Sequence, residues 1–378
     1  MTTDLESRLR HAFEARTAGV PVPPEPDWEV AQARPRKAYP ILGVIATVAA
    51  TLVVLLTVTL VWGDGGSDDQ AFRPGTVEVT PVWPAKSPTL ALRRDTSNPQ
   101  IVNVATGKVL GTALPPAGYD VAWAGYEAAA ADNRTFFFTV SKALNSRHMV
   151  ARVHVDDQGR PDGRAVLVAQ VPTANELNAV APPLPTPNTN EPARWATLDG
   201  LSVSPDATRL AMTVSTRNGE GLSVWDLSTG RNTTWGSPTA ITALAWGGDG
   251  SLLWASGHSA GRLDPESRPS ILRPTQSYSD LGDAEVSQLL PSGDRIVVLS
   301  EPYSVRLVQL SRHPGGPERV LDQWVATGGD NGGAVVDGSA RHVLYLRNSE
   351  GVRLDLKTGA RTPTKLGGPE NKMAIFTW

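Results

Sequence analysis

Residues 201–235 read "LSVSPDATRLAMTVSTRNGEGLSVWDLSTGRNTTW". Short runs of β-branched and aliphatic residues are separated by turn signals at Pro205-Asp206, Asn218-Gly219 and Thr229-Gly230. Such runs suit a pleated, half-buried strand, and Gly, Asn, Asp and Pro each favour reversal of the chain. The stretch predicts one antiparallel meander of four strands.

The unit recurs. The first apolar residue after the first turn is Leu90 in "SPTLALR", Phe136 in "NRTFFFTV", Leu210 in "ATRLAM", Leu252 in "GSLLWAS", Ile296 in "GDRIVVLS" and Val343 in "RHVLYLR". The intervals are 46, 74, 42, 44 and 47 residues. The long one contains a Pro/Asn-rich insertion of 27 residues, 171–197, whose subtraction leaves 47. A second marker agrees: "VNVATG" (102–107), "WDLSTG" (225–230) and "LDLKTG" (354–359) share one hairpin pattern. Trp83, Trp123 and Trp246 fall at the end of a first strand.

A period of about 40–45 residues with four strands each predicts an all-β fold, a β-propeller. One such sheet cannot cover both its faces, and a closed ring of sheets can. Six markers predict six blades over 76–378, with seven as the alternative. The final "KMAIFTW" reads as a lone first strand that closes the ring, in competition with "TVEVTPVW" (76–83). The blade opening "SPDATRLAM" resembles the TolB-like and WD-like propeller repeat, with Ala207 where that repeat has Gly. The resemblance is sharp over 202–230 and diffuse over roughly 76–368. "WD" occurs once, at 225–226, so the hydrogen-bond tetrad of true WD repeats is not carried over. The resemblance to TolB implies a role in an envelope complex.

Residues 41–62, "ILGVIATVAATLVVLLTVTLVW", carry no charge, and 13 of the 22 are Ile, Leu or Val. As a helix they rise about 33 Å, enough to cross a hydrocarbon core of about 30 Å. Arg34, Arg36 and Lys37 precede the run, and Asp64, Asp68 and Asp69 follow it. The positive-inside rule places residues 1–40 in the cytoplasm and exports the rest through a single span of the cytoplasmic membrane. Residues 63–75 are a linker. In the tail, Leu5, Leu9 and Phe13 form one apolar stripe on a short helix, a docking candidate for a cytoplasmic partner, before the Pro-rich "VPVPPEPDW". The layout is similar to that of membrane-bound anti-sigma regulators, but the tail is short and has no His/Cys zinc pattern.

Arginine (28) outnumbers lysine (7), a leaning that resembles GC-rich coding as in actinobacteria. The net charge of −3 gives no concentrated positive field, so nucleic acid is not an expected partner. Cysteine is absent, which excludes disulfides, thiolate metal sites and a cysteine nucleophile.

"GHSAG" at 257–261 matches the G-x-S-x-G of esterases. A nucleophile elbow needs a strand before the serine and a helix after it. "RLDPESRPS" follows here, with Pro265 and Pro269 and no apolar periodicity. Prolyl-oligopeptidase relatives pair a propeller with a separate hydrolase domain, and only 119 residues follow Ser259. Residues 257–261 are therefore expected to be a hairpin turn in the fourth blade, and no catalytic residue is assigned. His148 and His154 share a strand face without an evident third ligand. Asp156, Asp157 and Asp162 in "DDQGRPDG" are weak Ca²⁺ candidates that lack the alternating-acid spacing. No dinucleotide, P-loop or metalloprotease motif is present, and no cofactor is expected.

The expected function is a membrane-tethered, non-enzymatic propeller that binds a protein, peptide or glycan outside the membrane as a scaffold or sensor. The alternatives are a lactonase-like or lyase-like propeller enzyme, or a regulator acting through its tail. The enzyme needs several inward carboxylates or histidines, and few acids stand at first-strand positions.

Overall fold

A computed structural model describes residues 89–377 apart from 95–97, 123–125, 144–145, 181–195, 217–218, 257–258, 278–285, 301–303, 314–315, 326–333, 349 and 367–374. The described residues all fall within one compact unit, Asp68–Trp378. The tail with Leu5, Leu9 and Phe13, the flanking Arg34, Arg36 and Lys37, the apolar run, and Trp83, Trp123 and Trp378 all lie outside the described residues. Among those described, no helix is long and apolar enough to cross a membrane.

The elements in chain order are β1 (Leu90–Arg94), β2 (Gln100–Asn103), β3 (Val109–Thr112), β4 (Asp120–Val121), β5 (Glu127–Ala129), β6 (Thr135–Ser141), β7 (Met149–His154), β8 (Val166–Gln170) and the helix α1 (Ala174–Asn178). There follow β9 (Thr197–Val203), β10 (Arg209–Thr216), β11 (Gly219–Asp226), β12 (Arg231–Ser237), β13 (Ala243–Trp246), β14 (Leu252–Ser256), β15 (Ser259–Leu263) and β16 (Gln276–Ser277). The last are β17 (Val286–Leu289), β18 (Arg295–Ser300), β19 (Ser304–Leu310), β20 (Glu318–Val325), β21 (Ala334–Val336), β22 (His342–Arg347), β23 (Glu350–Asp355), β24 (Arg361–Thr364) and β25 (Ile375–Thr377).

These strands form six antiparallel sheets. β9–β12, β13–β16, β17–β20 and β21–β24 are consecutive meanders. In the second sheet, β4 and β5 are two parts of one inner strand, both paired to β6. In the first sheet β25 lies inside β1, with Leu92 opposite Thr377 and Arg94 opposite Ile375. The C-terminal strand therefore completes the first blade. All six periodic markers fall at the first or second residue of a sheet's second strand.

The inner strands touch in cyclic order: β25 meets β5, β5 meets β9, β9 meets β13, β13 meets β17, β17 meets β21, and β21 returns to β25. The chain is a six-bladed propeller, and among the described residues there is no seventh blade. Six apolar clusters fill the six gaps between blades. Side-chain alternation explains how one strand serves two gaps. On β6, Phe136 and Phe138 face the first blade while Phe137 faces the third. On β10, Leu210 and Met212 face the second blade while Ala211 faces the fourth.

Turn chemistry repeats with the blades. The turn between first and second strands has one left-handed residue in five blades: Asn133, Ala207, Gly250, Gly293 and Ala340, with φ of 56, 59, 79, 87 and 55°. Ala207 thus takes the glycine position of the repeat despite the steric cost, roughly 1 kcal/mol for an L-residue. Its methyl is 2% exposed within the core. The "TG" hairpins are Asx turns. Asp226 Oδ1 accepts from the N–H groups of Ser228 and Thr229 at 2.9 and 3.0 Å, and Gly230 has φ of 67°. Asp355 with Gly359, and Asn103 with Gly107, repeat the arrangement.

Candidate functional site

The inner strands surround an axial recess of about 350 Å³. Tyr126, Glu127, Asp199 and Thr242 line it where the inner strands begin. Pro205, Trp246, Pro291 and Asp337 line it where they end. That far end is tight, since a Cβ on Gly338 would sit 2.6 Å from the Ala130 carbonyl oxygen of another blade.

The near end carries the acids. β9 pairs with β10 through Gly200 opposite Thr213 and Leu198 opposite Val214, so Asp199 is the extra residue of a bulge. Bulges redirect a side chain out of the regular alternation, and here Asp199 lines the recess. Burial pushes its carboxyl above the ordinary range, against a hydrogen bond from Ser215. Glu220 is raised by burial and then by the charge of Asp199. Tyr126 is raised by burial, Asp199 and Glu127. Glu127 is raised by burial despite Arg94, whose Nη1 lies 2.7 Å from its Oε1. Glu220 Oε2 and the hydroxyl of Thr213 are buried without a hydrogen-bond partner. Thr213 is 3% exposed and lines the recess. No Lys, Arg or His is among the described lining residues.

A carboxylate raised in the fold is penalised when ionised. The penalty is absent below the ordinary, unfolded-state value and complete above the folded one. Glu220→Gln is therefore expected to raise the melting temperature at pH 7 by about 1–2 °C. Its partial exposure keeps the effect small. The gain should shrink to nothing by about pH 4, near the unfolded value. A pH series of thermal melts checks this, and an equal gain at both ends contradicts the cause.

The insertion starts as structure, not loop. Thr173 accepts from the Glu176 N–H at 3.1 Å, and Glu176 accepts from the Thr173 N–H at 2.6 Å, a reciprocal cap on α1. Leu177 is fully buried with the second and third blades. Arg147 Nε donates to the Val171 carbonyl at 2.6 Å and Nη2 reaches Glu176 at 3.5 Å. The sequence expectation of a loop over 171–197 is thus corrected at both ends, because Thr197 belongs to β9 and 174–178 to α1. Residues 181–195 lie outside the described set.

The sequence-derived candidates are placed apart. Asp156 accepts from the Gln158 N–H, the Arg160 N–H and Arg160 Nε at 2.9, 2.9 and 2.8 Å. Asp157 pairs with Arg134, and Asp162 lies 4.0 Å from His154 Nε2. Three carboxylates with three separate partners do not form a cation cradle. His148 immediately precedes β7 and His154 ends it, about 20 Å apart at ~3.3 Å per residue, too far to share a metal ion. Burial lowers the pKa of His148. His154 Nδ1 lies 3.0 Å from the Thr135 hydroxyl.

Ser259 is not in a turn, as the sequence suggested, but opens β15 opposite Ser256, and its hydroxyl donates to the Ser256 carbonyl at 3.1 Å. Gly257 and His258 lie outside the described residues. Gly261 has a packing role, since a Cβ there would overlap the Trp254 indole. Ser259→Ala is expected to change stability by less than about 0.5 kcal/mol. Gly261→Ala should cost about 1–3 kcal/mol through overpacking against a ring that is 1% exposed. Denaturant unfolding of both variants checks the order, and the reverse order refutes it.

No known sequence family matches the chain, and no curated protein does. Solved structures do. A nidogen/laminin complex is similar at 11% identity over 76% of this chain and 97% of that one, with a TM-score of 0.48. A protein of unknown function from Bacteroides caccae gives 13% identity, 77% and 98% coverage and a TM-score of 0.44. One of two prolyl endopeptidases gives 14% identity, 63% and 35% coverage and a TM-score of 0.36. Likeness at this level carries no argument about activity, and the blade count rests on the chain's own pairings.

The sequence reading missed Glu127, Asp199 and Glu220. It began the first strand of the third blade at Leu201, four residues after β9 starts. A bulge of one residue has no compositional mark.

Proposed function

We propose that this protein is a membrane-anchored, extracytoplasmic propeller that binds a protein partner at the open end of its axial recess. The observation that carries this reading is the recess itself, with Glu127, Asp199 and Asp337 in its lining and no base among the described lining residues. A cleft of one charge sign with low-dielectric walls focuses its field and attracts the opposite sign. The apolar run 41–62 with Arg34, Arg36 and Lys37 before it supports the anchor and its orientation. The TolB-like opening at 202–210 supports an envelope setting.

The test uses the full chain in cells. Alkaline phosphatase fused after Trp378 should be active, and fused after Pro40 inactive. A photo-cross-linking residue at Thr242, which is exposed on the recess lining, should trap a protein adduct. Activity only in the Pro40 fusion sinks the orientation, and the absence of adducts sinks the partner.

A further inference from the structure

Asp199 lines the recess mouth and Glu220 stands behind it, and among the described residues no cation pairs with either. Asp199 is turned inward by a bulge in an inner strand, and Glu220 stands two strands outward in the same blade, opposite Ser215. Asp199 is held by Ser215 and exerts its field on both Glu220 and Tyr126. The neighbouring Glu127 is paired with Arg94, whereas among the described residues Asp199 and Glu220 form no such pair. Close like charges are unfavourable unless something of opposite sign is supplied.

A separate observation points to a donor-rich ligand. Thr213, 3% exposed and part of the recess wall, holds a hydroxyl with no partner, and Glu220 Oε2 is likewise buried and unpartnered. A buried polar atom without a partner costs about 1–3 kcal/mol, so its persistence marks a place a ligand can satisfy. Both atoms accept hydrogen bonds, as do the Asp199 oxygens. Among the described residues no set of three metal-ligating side chains is assembled. The recess wall that Asp199 shares includes the apolar Leu201, Val203 and Leu244. Acceptors beside aliphatic surface suit a cationic head on an aliphatic stem better than a hydrated inorganic ion.

We propose that the mouth of the recess, at Asp199, Glu220 and Thr213, is a binding site for a lysine or arginine side chain of a partner polypeptide. The cationic head donates to the two carboxylates and the threonine hydroxyl, and the stem lies along the apolar wall. The proposal deepens the binding reading above and rests on it. A titration with small probes reads the recess whichever side of a membrane the propeller occupies. Fusion and cross-linking read compartment and partner. The two can therefore fail separately.

The test is calorimetric titration of the purified full chain in detergent micelles at low salt. The probes are acetyl-Gly-Lys-Gly amide, its arginine and glutamate counterparts, spermidine and calcium chloride. The lysine or arginine peptide should bind once per chain, and binding should weaken as salt rises. Asp199→Asn and Glu220→Gln should each weaken it at least tenfold, and Thr213→Val, which keeps the side-chain shape, about threefold. Asp162→Asn, an exposed acid outside the recess, should leave it unchanged. Thermal melts of each variant confirm the fold. Four results overturn the proposal: no saturable binding of either basic peptide, equal binding of the glutamate peptide, binding by spermidine or Ca²⁺ alone, or basic-peptide binding that survives in the Asp199→Asn, Glu220→Gln double variant.

Discussion

Asn133→Ala is expected to remove about 3 kcal/mol from the unfolding free energy, as judged by urea unfolding followed by circular dichroism. The reason lies in how the ring closes. β25 pairs with β1 only from Leu92 to Arg94. Among the described residues, no inner strand pairs with Leu90 at the start of β1. The side chain of Asn133, from the turn of the next blade, takes that place. Its Oδ1 accepts from the N–H groups of Thr89 and Leu90 at 2.7 and 2.8 Å, and its Nδ2 donates to the Leu90 carbonyl at 2.7 Å. The group is 5% exposed, so the bonds are out of reach of bulk water. Alanine would leave backbone polar atoms unpaired at a buried edge, which costs more than the bonds' net worth. Asn133 also has φ of 56°, a conformation that asparagine tolerates better than alanine does. Asn133→Gly separates the two causes, because glycine keeps the backbone and lacks the amide. It should lose nearly as much as alanine. A glycine variant as stable as wild type would show that the backbone, not the clamp, sets the cost.

The blades were legible in the sequence because their determinants are local. A strand of alternating or wholly apolar residues ends at an Asp, Asn, Pro or Gly turn, and the turn's hydrogen bonds are made within five residues. "DLSTG" and "DLKTG" fold alike at Asp226 and Asp355 for that reason. Closure was not legible because it is non-local. "TVEVTPVW" and "KMAIFTW" both carry a strand pattern, and only packing decides which one lies beside β1. The acid rim was hidden for a related reason. Asp199, Glu220 and Glu127 come from different strands, and Asp199 faces the axis only through a bulge. The helix α1 had a readable signal, the cap pattern of Thr173 and Glu176, but it sat inside a Pro/Asn-rich stretch that reads as loop.

Asp322→Ala is expected to cost about 3–4 kcal/mol, because it opens a buried polar network between the fifth and sixth blades. Asp322 is 3% exposed on β20, the outer strand of its blade. Its Oδ2 accepts from the Tyr345 hydroxyl on β22 at 2.5 Å. Arg361 Nη2 lies 3.4 Å from Oδ1 and Arg347 Nη1 3.7 Å from Oδ2. Trp324 stacks on Tyr345 with centroids 5.6 Å apart, so the network is roofed by aromatic surface. Burial and the neighbouring carboxylate both hold the Tyr345 hydroxyl well above its ordinary pKa, hence protonated and available as a donor. Removing the acid strands that donor in a residue 1% exposed, while the two arginines, about half exposed, turn to water. Tyr345→Phe should cost less, about 1–2 kcal/mol, because Asp322 keeps its arginines. The double variant Asp322→Leu, Tyr345→Phe removes acceptor and donor together and replaces them with apolar volume, so it should be more stable than Asp322→Ala alone. Such recovery is how a buried polar network differs from simple packing. If the losses of Asp322→Leu and Tyr345→Phe, measured singly, merely add in the double variant, the contact is packing and the hydrogen bond contributes nothing. The same cycle reads how firmly the last blade is held to its neighbour, and therefore whether the ring opens first between the fifth and sixth blades or at the seam that Asn133 closes.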